Sequence, residues 1–491
     1  MSWAAEVQMR DMQVRALWDV LAAIVRHAAP SEDVAGQLLA VRTEGEDWVQ
    51  EGRRLPLTLE LELTQRVQHF KASLPPYPSQ LFQARGVVII AGGLKYMVSA
   101  WISLHMLRRT GCLLPVEVWF PLSELPTPEL EDQLLLMGAV VRTFDMRDLD
   151  QSGFTLKPSA LLLSSFQEVL LLDADNFAVA DPTSLFNEPG YRATGSLLWQ
   201  DFWEPSAAPQ VYRILGIPGS RRPPNSHESG QMLVDKTRHW QGLLLCVYLN
   251  YYHEVYYELL TGFMGKGDKE TFVHAMLAMG EAVHTVPYPT MAVGMWRKAC
   301  HVDSHLHPSC EQLLSINTMA QPCPKGHRVL FLHSNLNKWG LDLPHAFEDY
   351  SRRWLLLAVH SQSQPLPFID WAVTQLGYDV ERYAYELVRA LRCAPWFGEY
   401  YRMRLRRGDA AMVPFNGPHE LVGGMHLVEW YRFGLRGAYQ GLLQLTMHDR
   451  LQHHWRHVQS TWHALKLRTK SLVWFSDSAG RRPAVAVAGR R

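Results

Sequence analysis

The chain has 491 residues, of which 47% are hydrophobic, 11% aromatic and 20% charged. This apolar fraction excludes a globally disordered protein, and the length predicts either one large elaborated domain or two to three smaller units. The 48 basic residues balance the 48 acidic ones, so the formal net charge is zero. The overall charge therefore does not indicate nucleic acid or an anionic membrane as the main partner.

Residues 1–80 are predicted to form a helical N-terminal region. Apolar residues recur at helical spacing within residues 14–27 and again within residues 59–70. Acidic residues interrupt the apolar stretches of the first thirty residues, which does not match a secretory signal peptide. No window reaches the roughly 18 consecutive apolar residues that predict a membrane span.

Short apolar runs alternate with helical segments from residue 86 onward. The predicted strands are Val87–Ile90, Val116–Phe120, Ala139–Phe144 and Val169–Leu172, and the predicted helices between them are Leu94–Thr110 and Pro128–Met137. This order is typical of the βαβαβ layout of nucleotide-binding domains with a mainly parallel sheet. We therefore expect an α/β domain over residues 81–345, a helical region over 346–477 and a disordered tail over 478–491.

Two aspartates follow the last of these predicted strands. Asp173 and Asp175 are separated by one residue, directly after the run Val-Leu-Leu-Leu. This position is the carboxyl edge of the sheet, where open α/β folds bind ligands. Carboxylates at this spacing can hold a hard divalent cation, which in turn neutralises a diphosphate. Taken alone, the triplet also fits a cap or a turn, but its place after a strand favours a metal site.

A glycine turn follows the first predicted strand. Gly92 and Gly93 allow the backbone to approach a ligand closely, and the helix that follows offers free N–H groups to phosphate. We expect Ala91, Lys95 and Tyr96 of the same segment to take part in cofactor binding. The segment lacks the glycine spacing of a dinucleotide fingerprint or a P-loop. A purely structural turn is the alternative.

Seven segments between residues 85 and 340 together resemble a known family. They are Gly86–Tyr96, Leu107–Phe120, Leu170–Asn176, Trp199–Trp203, Asn225–Lys236, Gly267–Phe272 and Leu332–Trp339. In this order they resemble the α-mannosyltransferases that branch fungal cell-wall mannan. The resemblance implies a GT-A glycosyltransferase fold, GDP-mannose as donor, Mn²⁺ as metal, and retaining transfer to a mannose hydroxyl of a glycan through an α-1,2 or α-1,3 linkage. A UDP-hexose donor and a catalytically silent glycan-binding protein are the alternatives.

Five polar residues in these segments are candidate catalytic residues. Asp201 lies among aromatic residues, whose faces suit the apolar face of a sugar. Glu228 and Gln231 are expected to flank the anomeric carbon. Asp268 and Glu270 are expected to contact the transferred hexose, as similar loops do in related transferases. The alternatives are a turn carboxylate for Asp201, a surface position for Glu228 and a helix cap for Asp268.

A late apolar strand ends in His333, and Lys338 follows five residues later. In metal-dependent GT-A enzymes a late histidine commonly supplies a third metal ligand, and a nearby lysine commonly pairs with the β-phosphate. The resemblance therefore implies metal binding by Asp173, Asp175 and His333. It also implies donor binding by Lys338, with Asp173 and Lys157 as further donor contacts. The alternatives are a strand-end histidine and a solvated lysine.

The resemblance also implies partners and a compartment. The partners are a nucleotide-sugar donor and a glycan acceptor, without nucleic acid. Members of the family are typically type II membrane proteins of the Golgi, so a Golgi lumen is expected, with an anchor that is not visible in this sequence. A soluble cytoplasmic protein is the alternative.

Overall fold

The apolar runs between residues 85 and 173 form the strands of a buried sheet in the computed structural model. The structure describes residues 3–32, 34–44, 49–143, 153–202, 205, 207–261, 267–302, 308–335, 338–341, 354–357 and 366–409. Its strands are β1 (Leu39–Glu44), β2 (Val49–Arg54), β3 (Arg85–Ile90), β4 (Val116–Trp119), β5 (Ala139–Arg142), β6 (Glu168–Asp173), β7 (Asn176–Ala178), β8 (Ser196–Leu197), β9 (Gln231–Asp235), β10 (Met291–Val302), β11 (Pro308–Cys323), β12 (Gly326–His333), β13 (Leu355–Leu357) and β14 (Leu366–Pro367). Its helices are α1 (Trp3–His27), α2 (Leu57–Ala72), α3 (Gly93–Arg109), α4 (Pro128–Leu136), α5 (Leu156–Leu163), α6 (Pro189–Thr194), α7 (Pro209–Leu215), α8 (Lys236–Tyr251), α9 (His253–Thr261), α10 (Lys269–Ala278), α11 (Phe368–Leu376), α12 (Val380–Cys393) and α13 (Pro395–Arg406).

The central sheet has the strand order β5–β4–β3–β6–β9–β8. Strands β5, β4, β3 and β6 run parallel, and β9 is antiparallel to both of its neighbours. The four parallel strands are the four that the apolar runs predict, which confirms the α/β class and the mainly parallel sheet expected from the sequence. The chain order reverses between β3 and β6, and such a switch point opens a crevice at the carboxyl ends of the strands.

Helices cover both faces of the central sheet, because its strands are apolar on both sides. Val87 and Ile89 belong to one hydrophobic core, together with α3 and α4. Val88, between them, belongs to the other core, together with α5 and α8. This alternation follows from the two-residue period of a strand. Because β3 and β6 are packed on both faces, their positions in the sheet are fixed, and the loops at their ends are placed accordingly.

A second sheet adjoins the first and has the order β14–β13–β10–β11–β12–β7, with all neighbours antiparallel. Its strand β7 begins at Asn176, three residues after β6 ends at Asp173. The chain therefore passes from one sheet to the other through the predicted aspartate motif. The long strands β10 and β11 were not predicted.

The two terminal regions differ in part from the prediction. The N-terminal region contains the helices α1 and α2, but also the antiparallel hairpin of β1 and β2, so it is not purely helical. The C-terminal region contains α11, α12 and α13, and also β13 and β14. Residues 410–477 of the predicted helical region and the predicted tail lie outside the described residues. Among the helices described, none has the length and apolar character needed to cross a membrane.

Candidate active site

The aspartate motif lies at the switch point of the central sheet. Asp173 is the last residue of β6, and Asp175 lies in the turn that leads to β7. This turn is held from two sides, because Asp173 N donates to Gly230 O at 2.8 Å and Ser334 N donates to Asp175 O at 2.9 Å. The two carboxylates are therefore fixed where open α/β sheets bind ligands.

His333 joins the aspartates through strand pairing. It is the last residue of β12 and lies opposite Asn176 in the ladder of β12 with β7. Its Nε2 lies 3.5 Å from Asp175 Oδ1 and 3.8 Å from Asp173 Oδ2. One ligand atom from each of the three side chains lies within 4.8 Å of the others. Two carboxylates and an imidazole suit a divalent cation, so the three predicted metal ligands form a cluster that fits one.

Lys157, Lys338 and the imidazole of His333 contact the two aspartates. Lys157 Nζ lies 2.8 Å from Asp173 Oδ1, and Lys338 Nζ forms an ion pair with Asp175 Oδ2. Burial disfavours the charged forms of Asp175 and His333. The hydrogen bonds that each makes, and the opposite charges beside it, have the larger effect and favour the charged forms. These partners lower the pKa of Asp175 to about 2 and raise the pKa of His333 to about 10. For Asp173 burial prevails and raises the pKa.

The other ring nitrogen of His333 contacts Glu228. His333 Nδ1 lies 2.6 Å from Glu228 Oε2, and the two side chains are only 8% and 6% exposed. Gly230 leaves the space for this contact, because a Cβ there would collide with the imidazole. Burial opposes ionisation, but the charge of His333 lowers the pKa of Glu228. We predicted that Glu228 flanks the anomeric carbon; in the structure its carboxylate contacts the predicted metal ligand His333.

Lys157 joins the aspartate turn to the start of α10. Its Nζ lies 2.9 Å from Asp268 Oδ2 and 3.2 Å from Ser229 Oγ. Burial opposes the ammonium charge, but the carboxylates of Asp173 and Asp268 outweigh it and raise the pKa of Lys157 above its ordinary value. Lys157 and Asp268, both predicted as site residues, therefore lie together beside the metal-ligand cluster.

Two predicted sugar contacts are buried beneath the site. Glu270 is fully buried, and its Oε1 accepts a hydrogen bond from Ser226 Oγ. Burial raises the pKa of Glu270 to about 7. Gln231 is also fully buried, and Asn176 Nδ2 donates to its Oε1 at 2.5 Å. We predicted contacts with the sugar for both residues; the structure places them at buried positions of α10 and β9, each with one protein partner.

Asp201 forms an ion pair with Lys269, whose Nζ lies 2.5 Å from Asp201 Oδ2. Burial and the negative charge of Glu228 raise the pKa of Asp201. The nearby Trp199 is fully buried and donates its indole N–H to Pro322 O at 2.8 Å. This tryptophan therefore belongs to the core and not to a sugar-facing surface.

The glycine turn after β3 is closed by the C-terminal region. Gly93 has a φ of +55°, a conformation that favours glycine. The N–H of Leu94 donates to Asp409 Oδ2 at 2.8 Å, and the carboxylate of Glu124 fills the space beside Gly92. We predicted that this helix N-terminus binds phosphate; a carboxylate of the protein itself holds one of its N–H groups.

Lys95 and Tyr96 connect the glycine turn with the metal-ligand cluster. Lys338 Nζ lies 5.3 Å from the centre of the Tyr96 ring, and Lys95 Nζ lies 5.6 Å from it, distances at which a cation and a ring attract each other. Ala91 is buried, and its N–H donates to Trp119 O at 2.8 Å. Tyr96 therefore lies beside the predicted phosphate-binding lysine, whereas Ala91 serves the packing of the sheet.

Three further polar residues contact the predicted site residues, although no motif marks them individually. Ser229 contacts Lys157, Lys269 contacts Asp201, and Asp409 contacts the start of α3. Ser229 and Lys269 lie within the segments that carry the family resemblance, so their positions held a signal. Asp409 lies in the C-terminal region, outside those segments, and gave none.

A family profile described as "Mannosyltransferase putative" matches residues 84–223 and 219–313 of the chain. The matched span contains the glycine turn, the aspartate turn, Glu228 and Asp268. His333 and Lys338 lie beyond its end. The profile therefore covers the central sheet and most of the candidate site.

Two curated relatives are named as alpha-1,2-mannosyltransferases. The chain is 30% identical over 272 residues to alpha-1,2-mannosyltransferase MNN5 of Saccharomyces cerevisiae strain YJM789, and the alignment covers 44% of this chain and 46% of the relative. It is 26% identical over 397 residues to alpha-1,2-mannosyltransferase MNN21 of Candida albicans, and that alignment covers 64% of this chain and 58% of the relative. The chain thus spans about half the length of the curated relatives it matches.

Among solved structures, the glycosyltransferase GlyE of Streptococcus pneumoniae TIGR4 is similar with a TM-score of 0.28 and 15% identity, over 42% of this chain and 46% of that one. A likeness of this size carries no argument about the site. The profile and the curated relatives confirm the resemblance that the seven segments indicate. Over residues 84–313 the chain matches the mannosyltransferase profile, and its fungal relatives are named as Mnn-type alpha-1,2-mannosyltransferases.

Proposed function

We propose that the protein is a metal-dependent retaining α-mannosyltransferase that transfers mannose from GDP-mannose to a mannose hydroxyl of a glycan. The observation that carries this proposal is the meeting of Asp173, Asp175 and His333 within 4.8 Å, in a chain that matches the mannosyltransferase profile over residues 84–313. The relatives are named as α-1,2-mannosyltransferases, which favours that linkage over α-1,3. Mn²⁺ is the proposed metal, because the family resemblance implies it and two of the three side chains are carboxylates, which suit Mn²⁺.

Leaving-group binding is the first task of the site. Asp173, Asp175 and His333 would hold a divalent ion, which would supply positive charge against the diphosphate of the donor as it departs. Lys338 already neutralises Asp175 and lies beside Tyr96, and its ammonium is a point charge suited to a phosphate. We assign the donor phosphates to Lys338 and Tyr96.

Sugar binding is the second task. Lys157 and Asp268 contact each other beside Asp173, and together they offer donors and acceptors for sugar hydroxyls. Asp201, paired with Lys269, is the carboxylate that we assign to the positive charge that develops on the sugar as its bond to the diphosphate breaks.

A donor panel tests the proposed activity. The protein is incubated with GDP-mannose, UDP-galactose or UDP-glucose and a mannose acceptor, with Mn²⁺ or with a chelator, and the products are read by mass spectrometry. We expect transfer only from GDP-mannose and only when Mn²⁺ is present without the chelator. The product should be α-linked by NMR. Transfer from a UDP-hexose would replace the donor assignment. Glycan binding without any turnover would favour the silent binding protein, and a β-linked product would contradict retention.

The proposed compartment is the Golgi lumen, on the strength of the family resemblance. Imaging of the tagged product of the natural gene tests it. We expect colocalisation with a Golgi marker, and a cytosolic signal would contradict this compartment.

A further inference from the structure

We propose that Glu228 is a positioning residue that holds His333 in the orientation and tautomer needed to bind the metal. This inference rests on the proposed metal site, but it assigns Glu228 a role that differs from contact with the sugar. The geometry that carries it is the 2.6 Å contact between His333 Nδ1 and Glu228 Oε2.

The two nitrogens of His333 have separate partners. A carboxylate accepts, so Nδ1 is the nitrogen that donates to Glu228. Nε2 faces Asp175 at 3.5 Å and Asp173 at 3.8 Å, so it is the nitrogen on which a metal would replace the proton. Metal-binding histidines commonly donate their second N–H to a carboxylate, which fixes the ring and makes the ligand nitrogen more basic. In this structure the Glu228 carboxylate contacts Nδ1 of His333, and the two aspartates lie on the Nε2 side of the ring.

The segment around Glu228 is itself held rigidly. Glu228 N donates to Trp199 O at 2.9 Å, and Gly230 O accepts from Asp173 N at 2.8 Å. Gly230 also leaves the space that the imidazole occupies. Because Glu228 is only 6% exposed and its carboxylate is engaged by His333, it is built to hold the ring and has little surface for a sugar.

Binding of Mn²⁺ alone to the full chain tests the role of Glu228. Free Mn²⁺ gives an electron paramagnetic resonance signal that is lost on binding, so titration yields a Kd, and the binding that His333→Ala removes defines the site. We expect Glu228→Ala to raise that Kd about 10- to 100-fold, and Glu228→Gln, which keeps an acceptor but loses the charge, to raise it less. Gly230→Ala should raise it as well, because its methyl group displaces the same ring.

Glu281→Ala is the matched control. Glu281 Oε2 lies 3.0 Å from His239 Nδ1, and its side chain is 11% exposed, so it is another largely buried carboxylate on a histidine. Its histidine lies on α8, outside the metal-ligand cluster. We expect Glu281→Ala to leave the Kd for Mn²⁺ unchanged. An unchanged Kd in Glu228→Ala, or an equal rise in Glu281→Ala, would overturn the inference.

A spectroscopic measurement keeps the test open if Glu228→Ala folds poorly. In ¹⁵N-histidine-labelled protein with Zn²⁺, the His333 signals, identified by their loss in His333→Ala, should show a proton on Nδ1 in the wild type. Glu228→Gln should weaken or shift that proton signal. A signal that is the same in both proteins would overturn the inference. Wild-type protein without any metal binding would overturn the metal site as well, whereas absence of mannosyl transfer with the expected series of Kd values would contradict only the proposed activity.

Discussion

Asn176 and His333 lie opposite each other in the antiparallel ladder of β7 and β12. Asn176 directly follows Asp175, so this one pair of residues brings an imidazole to the aspartate turn. Side chains alternate along a strand, and a slip of one residue would turn His333 to the other face of the sheet. The metal-ligand cluster therefore depends on strand register as well as on residue type.

Asp175→Asn should lower metal-dependent transfer by a factor on the order of 100 and leave the fold intact. The amide keeps the shape of the carboxylate but loses the charge that faces His333 and Lys338. Initial rates across a Mn²⁺ titration, with circular dichroism of the same samples, measure both effects. Undiminished transfer would remove Asp175 from the metal site.

Asp235→Asn is the control for this variant. Asp235 also ends a strand, but its Oδ1 accepts from Thr237 N at 2.9 Å as the cap of α8. Its replacement should cost at most about 1 kcal/mol of stability and leave the metal dependence unchanged.

Lys338→Ala should weaken binding of GDP by about 1.5 to 3 kcal/mol, the range for a hydrogen bond to a charged group. Mn²⁺ alone should bind at least as well as in the wild type, because the ammonium that pairs with Asp175 is gone. Calorimetry with GDP and with Mn²⁺ separates the two effects. Lys325→Ala, which removes an exposed lysine from its ion pair with the buried Glu188, should change neither. Equal GDP binding in Lys338→Ala and wild type would contradict the phosphate assignment.

The central sheet is predictable from the sequence, because its parallel strands are buried on both faces. Val87–Ile90 and Val169–Leu172 are continuous apolar runs, and such runs stand out from the amphipathic pattern of helices. Strands β10 and β11 are not predictable in this way, since charged residues such as Arg297, Lys298 and Glu311 interrupt them. The two strands pair antiparallel with each other, and no apolar pattern in the sequence marks this pairing.

The sequence predicts a site residue only where a side chain that can bind a ligand stands at the end of a predicted strand. Asp173 and His333 each end a strand, and that position marked them as ligands. The contact of Glu228 with His333 leaves no local pattern, because it depends on two sheets meeting and on the space at Gly230. Burial of Glu270 is equally invisible in the sequence, since an acidic residue in the first turn of a helix is usually exposed.

Lys157→Met should destabilise the protein by about 3 to 5 kcal/mol without metal, because it leaves the buried Asp268 and the partly buried Asp173 without their shared cation. Mn²⁺ should restore part of this loss, so the rise in Tm on adding Mn²⁺ should exceed that of the wild type. Lys236→Met is the matched control, a fully buried lysine that donates to Leu162 O and Ser164 O. It should be destabilised too, with a response to Mn²⁺ like that of the wild type. Equal responses in both variants would contradict the placement of Lys157 beside the metal.

Glu270→Gln should stabilise the protein at alkaline pH and change little at acidic pH. Burial raises the pKa of Glu270 from 4.5 to about 7, so between these values the folded protein holds a proton that the unfolded chain releases. The unfolded state then binds fewer protons, and stability falls as the pH rises through this window. Above pH 7 the loss is complete and amounts to about 3 kcal/mol, which a neutral glutamine avoids.

Thermal unfolding of wild type and Glu270→Gln at pH 5 and pH 8 checks this expectation. The variant should have the higher Tm at pH 8 and a similar Tm at pH 5. It should also retain transfer activity, because the amide oxygen still accepts from Ser226 and the side chain is fully buried. Glu129→Gln, at an exposed position of α4, should show no such difference between the two pH values. A large loss of kcat in Glu270→Gln with an unchanged Tm would restore Glu270 as a sugar contact and contradict its buried role.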